Sequence, residues 1–182
     1  MKVDRLFLEE DGVRRAVREA GYGHLLLSDE ALAQSLASIL AQRPERAPVW
    51  VFGYGSLIWS PMMRFEEKRV ARLRGYHRGF YLWSRINRGT PQRPGLVLGL
   101  DRGGSCGGMA YRLHESRFED ELALLWRREM PIGTYTPRWV RLETGRARCA
   151  PFRRRPQEAR LCRTFERPQD HRHRAPGMRS FR

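Results

Sequence analysis

The sequence predicts a mainly antiparallel α+β domain, and three observations lead there. Short β-forming runs recur at 49–52, 80–83, 95–100, 108–113 and 139–142. Only two segments, one opening at Ser28 and one spanning 118–129, carry sustained helical periodicity. The 182 residues, 41% hydrophobic and 30% charged, suit one domain with a real core. Strands interrupted by only two good helices fit an α+β layer arrangement better than alternating βαβ units.

Taken in order, residues 1–24 mix charge with scattered apolar positions (Leu6, Phe7, Leu8, Val13, Val17) and read as a short helix. Ser28 is an N-cap, followed by Asp29 and Glu30 in the first turn, where acids suit the positive helix end. Leu32, Leu36, Ile39 and Leu40 then share one face, and Arg43-Pro44 stops the helix. Residues 49–52 form a strand, 61–67 a loop, and 68–75 and 80–83 two strand pieces. The polar stretch 85–94 is a loop closed by prolines. Strands 95–100 and 108–113 are joined across Asp101-Arg102-Gly103-Gly104, which has turn chemistry. Helix 118–129 follows, with Phe118, Leu122, Leu125 and Trp126 at core spacing, and then a strand made of 134–136 and 139–142.

The net charge of +15 is unevenly placed. Residues 146–182 hold 12 Arg against three acids, and no Val, Ile, Trp or Tyr. Such a segment cannot bury enough surface to offset its ordering entropy, so the expectation is a disordered Arg/Pro-rich tail. The predicted organisation is an N-terminal helical extension (1–46), a central domain (47–145) and this tail (146–182). Dense Arg, Pro and His from GC-rich codons also suit a reading frame slipped near residue 146. Three cysteines, Cys106, Cys149 and Cys162, are too few and too irregular for a disulfide framework or a zinc site. No run approaches a membrane span and no leader pattern opens the chain, so a cytoplasmic protein is expected.

The stretch Val49-Trp50-Val51-Phe52-Gly53-Tyr54-Gly55-Ser56-Leu57-Ile58-Trp59 organises the rest. A strand runs directly into Gly-x-Gly-Ser, and glycines 53 and 55 permit backbone angles that other residues avoid. Such a turn can gather N–H groups around a carboxylate, a phosphate or an oxyanion, or it can simply join two buried strands. Ile58 breaks a Gly-x-Gly-x-x-Gly dinucleotide pattern, and the Lys of a P-loop is missing. Tyr54 and Ile58 stand where a Gly-x-Ser-x-Gly nucleophile elbow needs glycine.

Residues 51–59 resemble the signature of the ChaC family of γ-glutamylcyclotransferases. Three further segments in family order support the resemblance: Pro94-Gly95-Leu96-Val97-Leu98, Cys106-Gly107-Gly108-Met109-Ala110-Tyr111-Arg112-Leu113, and Trp126-Arg127-Arg128-Glu129-Met130. The resemblance covers roughly residues 25–145 and stops there. It implies a small closed barrel with flanking helices, truncated or aberrant at its C-terminal end. It also implies a lyase that turns glutathione into 5-oxoproline and Cys-Gly without a cofactor, as part of glutathione catabolism.

Glu129 is the candidate catalytic residue. On position alone it is a solvated acid at a helix end, slightly misplaced near the negative helix terminus. That misplacement favours its protonated form, which suits proton exchange near neutrality. The resemblance makes it the acid/base. Val51, Phe52, Gly53, Tyr54, Gly55, Ser56 and Leu57 become the substrate-binding turn, and Tyr135 a further substrate contact. Arg85, Arg88 and Arg93 form either a solvated loop or an attractor for an anionic peptide. His77 and His114 stand alone and read as structural, and nothing near Cys106 activates a thiolate. The expected partner is the small-molecule substrate glutathione, with no membrane, no nucleic acid and no obligate protein partner. Two alternatives stand beside this reading: a basic RNA- or anion-binding protein, and a catalytically defective family member.

Overall fold

Each face of the first strand has its own core to fill, and this arranges the molecule. The computed structural model describes residues 4–44, 47–86, 88–144 and 159–164. In β1 (Trp50–Gly53) all four residues are buried. Trp50 and Phe52 face a cluster inside the sheet with Ala71, Leu73, Leu100, Cys106 and Ala110. Val49 and Val51 face a second cluster under the helices, with Leu122, Leu125 and Trp126. A strand buried on both faces reads as a continuous apolar run, as 49–52 does.

Among the described residues, three α-helices precede β1. Helix α1 (Arg5–Glu9) is capped by Asp4, whose carboxylate accepts from the Phe7 N–H at 3.0 Å. Helix α2 (Gly12–Glu19) follows after Asp11, which takes a left-handed φ of 56°. The short helix expected over 1–24 is thus two helices broken by a tight turn, followed by a 3₁₀ turn at Gly23–Leu25. Helix α3 (Asp29–Leu40) begins as expected, with the Ser28 hydroxyl accepting from the Ala31 N–H at 3.1 Å. Helix α4 (Phe118–Glu129) carries three acids in its first turn and Arg127 and Arg128 in its last, both in accord with the helix dipole. Leu8 and Val13 pack on Leu124, so the first two helices sit against α4.

The sheet contains β2 (Glu67–Ser84), β3 (Gly95–Arg112), β4 (Thr136–Thr144) and β5 (Ala159–Thr164) besides β1, in the order β1-β3-β2-β4-β5. Every pairing is antiparallel except the last, where β5 returns beside β1 with Val51 opposite Leu161 and Phe52 opposite Cys162.

Two corrections concern strands. The turn expected at 101–104 is no chain reversal, because 95–100 and 108–113 belong to the single strand β3. Likewise 68–75 and 80–83 belong to the single strand β2. Glycines do act at this point, but as a bulge. The register passes from Arg74–Ser105 to Tyr76–Arg102, with Gly75, Gly103 and Gly104 all at positive φ between the two pairs. An extra residue on one strand bends the ribbon without ending it, and glycine supplies the left-handed angles. The other correction is β5. Sequence reading finds no element beyond Gly145, yet 159–164 pairs with β4 on one side and β1 on the other. Strand formation there is set by the open edges on either side more than by composition. The rest of the tail expected to be disordered, with Cys149, lies outside the described residues. Among the described residues no helix is long and apolar enough to cross a membrane.

Candidate functional site

After Gly53 the chain leaves β1, forms a 3₁₀ turn over Ser56–Ile58, and heads towards α4. The turn is closed by the Ile58 N–H donating to the Gly55 carbonyl and the Ser60 N–H donating to the Ser56 carbonyl, each at 2.9 Å. It is also held from beneath. The Tyr111 hydroxyl of β3 lies 2.8 Å from the Leu57 carbonyl and 3.1 Å from that of Ile58. Neither Gly53 nor Gly55 has a positive φ, and at Gly53 glycine is required for a reason the sequence does not suggest. A Cβ on Gly53 would come within 2.8 Å of the Leu57 Cβ, so close approach is what excludes a side chain. Across the sheet, a Cβ on Gly108 would meet the Gly53 carbonyl oxygen at 2.3 Å, so β3 is pressed equally tightly against β1.

Helix α4 delivers Glu129 to the same place. A small pocket is walled by Val51, Phe52 and Leu57 on one side. Leu125, Trp126, Glu129 and Met130 wall it on the other, with Pro137 of β4 at its edge. Glu129 is thus the acid of an otherwise apolar pocket, and its side chain is only 11% exposed. A solvated helix-end acid is not what the fold presents. Nor does the carboxylate stand alone at the negative helix end, because the Arg128 Nε lies 3.3 Å from its Oε1.

Of the residues expected to bind substrate, Val51, Phe52 and Leu57 line this pocket together with Glu129. Ser56 lies behind it, where its hydroxyl accepts from Arg128 at 3.2 Å. Gly53, Tyr54 and Gly55 complete the turn without lining the pocket. Tyr54 is buried within the sheet, 6.4 Å from the Phe52 ring, and its carbonyl accepts from Arg78 at 2.7 Å. Tyr135 packs against the helical core. Burial, and then the nearby Tyr54, push its phenol well above the ordinary tyrosine range, so it is a neutral hydroxyl at physiological pH.

Two residues that sequence reading did not single out shape the site. Tyr111 lies within the segment 106–113 and anchors the turn by its hydroxyl. Arg128 joins the turn to the acid, donating from Nη1 to the Ser60 carbonyl at 2.6 Å and from Nη2 to Ser56. Burial and the neighbouring Arg88 charge hold its pKa below the usual arginine value, though a guanidinium so placed still stays charged. Arg128 lies within the segment 126–130 that carries the family resemblance, but a basic residue in a last helical turn otherwise reads as a dipole complement, and nothing local shows what it reaches. Of the loop arginines, Arg88 is therefore near enough to the site for its charge to be felt.

The histidines sit elsewhere. His77 bridges the Gly103 carbonyl and the Tyr81 hydroxyl, and His114 is held by Ser116 beside Glu66. Cys106 is buried, which pushes its thiol upwards despite the opposing Arg78 charge. Such a thiol is a poor nucleophile. Among the described residues no group of His, Cys, Asp or Glu is placed to hold a metal.

Comparison with known proteins gives this geometry relatives. A family model described as ChaC-like protein matches residues 49–172, which carries the match beyond the motifs and through β5. The glutathione-specific gamma-glutamylcyclotransferase of Escherichia coli (strain K12) is 50% identical over 119 residues, covering 65% of this chain and 52% of that protein. Glutathione-specific gamma-glutamylcyclotransferase 1 of Mus musculus is 37% identical over 94 residues, covering 50% of this chain and 42% of that protein. The chain spans about half the length of the curated relatives it matches. Among solved structures, a yeast gamma-glutamyl cyclotransferase specific to glutathione shares the fold with a TM-score of 0.53 at 22% identity. That similarity covers 65% of this chain and 67% of the yeast one.

Proposed function

Since the chain belongs to the ChaC-like protein family, we propose that it is a glutathione-specific γ-glutamylcyclotransferase, a lyase releasing 5-oxoproline and Cys-Gly. The observation that carries the proposal is the convergence of Glu129 with Val51, Phe52 and Leu57 on one pocket.

In this reading the α-amine of the γ-glutamyl group attacks its own side-chain carbonyl. A bond forms between that nitrogen and the γ-carbonyl carbon, and the bond from the carbon to the cysteinyl nitrogen breaks. Neither water nor an electron carrier is consumed. The nucleophile is already tethered, so a pocket that folds the substrate towards the ring supplies much of the rate by orientation. Glu129 takes the proton from the attacking amine and gives it to the departing nitrogen, which a carboxylate in hydrogen-bond reach can do in both steps. Apolar walls from Val51, Phe52, Leu57 and Trp126 exclude water and strengthen the electrostatics of that transfer. The turn through Gly53, Tyr54, Gly55 and Ser56 connects the pocket-lining Phe52 and Leu57, and at that rim its N–H groups are assigned to the γ-glutamyl end and the developing oxyanion. Tyr135 offers a neutral hydroxyl for a further polar contact. The positive field of Arg88 and Arg128 favours an anionic peptide.

Three further parts of the reading follow from the same premise. The strands close as a barrel, which the return of β5 to β1 supports. The reaction uses no cofactor. The working compartment is the cytoplasm, with glutathione as the partner and no nucleic acid or obligate protein partner involved.

Release of 5-oxoproline from glutathione by the whole chain, beside Glu129→Gln, tests the proposal. The parent releases product, and the variant loses at least the ~10²-fold expected of a missing acid/base while still binding substrate. Equal rates would remove Glu129 from the mechanism, and no release by the parent would overturn the assignment for this chain.

A further inference from the structure

Helix α4 grips the chain between Ser56 and Arg64 at two points on one face. Near its start, Glu121 accepts from the Arg64 N–H at 2.9 Å. Seven residues later, nearly two full turns along the helix, Arg128 reaches the 3₁₀ turn. Its contacts are specific. Nη1–H donates to the Ser60 carbonyl at 2.6 Å, Nη2–H to the Ser56 hydroxyl at 3.2 Å, and Nε faces the Glu129 carboxylate at 3.3 Å. The side chain is 12% exposed and stands behind the wall of the pocket that Glu129 lines.

We propose that Arg128 is a positioning residue, whose one rigid guanidinium fixes the spacing between the substrate-binding turn and the Glu129 carboxylate. The inference rests on the cyclotransferase reading above and adds the device that keeps its two halves in register. Neighbouring residues on a helix point about 100° apart, so Arg128 and Glu129 face different surroundings from adjacent positions. The planar fork of arginine lets a group aimed at the turn also touch the acid. A lysine carries the same charge but is a point donor on a flexible stem, and it cannot hold three partners in one plane. Ring closure needs the substrate seated on the turn and the acid within hydrogen-bond reach of its amine. A displacement of ~1 Å between the two costs about 10²-fold in rate.

The test uses the whole chain with Arg128→Met and Arg128→Lys. Three quantities are measured: amide hydrogen exchange over residues 53–60, thermal midpoint, and kcat and KM for glutathione. In Arg128→Met, exchange over 53–60 rises about tenfold while the strand amides of β2 and β3 keep their protection. Its kcat falls about 10- to 100-fold with KM within about threefold of the parent, the signature of a lost transition-state arrangement. Arg128→Lys restores the thermal midpoint but not kcat, and it carries the test alone should the methionine variant not fold. Unchanged exchange over 53–60, or a lysine variant with full kcat, overturns the proposal. If the parent releases no 5-oxoproline, the cyclotransferase reading fails by itself. The exchange comparison still decides the positioning role, in favour if 53–60 loosens and against if it does not.

Discussion

At the start of α4 the buried Glu121 meets Arg5 through two hydrogen bonds of 2.7 and 3.1 Å, and the Arg64 N–H through a third. At its end the similarly secluded Arg128 meets a carbonyl, a hydroxyl and the carboxylate of Glu129. Both are charges taken out of water on one face of one helix, and both tie the same loop. The first is enclosed by its own partners, and Glu121 in return raises the Arg5 pKa. The second borders the pocket through Glu129, and burial and Arg88 push its pKa down. A buried ion pair whose partners are all local is architecture. One whose last partner lines a pocket can be part of a reaction. Burial alone does not separate the two; the neighbours do.

The comparison can be broken most forcefully at Glu121. Replacing it by Gln leaves Arg5 facing a neutral amide and should lower stability by ~2 kcal/mol, read from denaturant midpoints. Fully buried pairs lose ~3–5 kcal/mol when one partner goes, and Arg5 is 29% exposed, which reduces the loss. At a temperature where the variant is folded, its turnover should stay within about twofold of the parent. A larger drop would mean that the two ties are not independent.

Alkali sharpens the contrast next. Burial raises the pKa of Tyr111, beneath the turn, and of Tyr135, against the helical core, whereas Glu121 holds Arg5 more firmly in its charged form. Above the ordinary tyrosine value near 10 the unfolded chain releases protons that the folded chain retains. Stability therefore falls as pH rises, by at most ~1.4 kcal/mol per pH unit for each such group. The stability contributed by neutral Tyr111 and Tyr135 is complete below pH ~10. Denaturant titrations from pH 8 to 11 should show the decline, and Tyr135→Phe should make it shallower. A profile unaffected by Tyr135→Phe would contradict the assigned burial.

The smallest effect is a control. Ser28 caps α3, distant in sequence from either tie, and Ser28→Ala should cost ~1 kcal/mol by thermal or chemical melting, with the rate unchanged. A change in kcat there would show that helix packing at large, rather than Arg128 alone, sets the geometry of the site.

Much of the site was legible because its residues lie in short, unusual strings. The apolar run into Gly-x-Gly-Ser gave β1 and the turn, and helix 118–129 was placed to the residue by its periodicity. The link between them was illegible for a physical reason. Arg128 and Ser60 are 68 residues apart, and nothing local distinguishes an arginine that reaches across the fold from one that simply complements a helix dipole. Gly103-Gly104 was misread for a similar reason. Glycine signals a need for left-handed backbone, which a turn and a bulge share, and only the strand opposite decides between them. Strand β5 was hidden in the most charged part of the chain because its pairing is supplied by β1 and β4. Tertiary pairing overrides weak local preference.

The most direct test of the account is one assay of 5-oxoproline release from glutathione, run on the parent, Glu121→Gln and Arg128→Met at a temperature where all three are folded. The account predicts that the parent and Glu121→Gln turn over alike while Arg128→Met is slower by about 10- to 100-fold. Equal losses in both variants, or no loss in Arg128→Met, would contradict it.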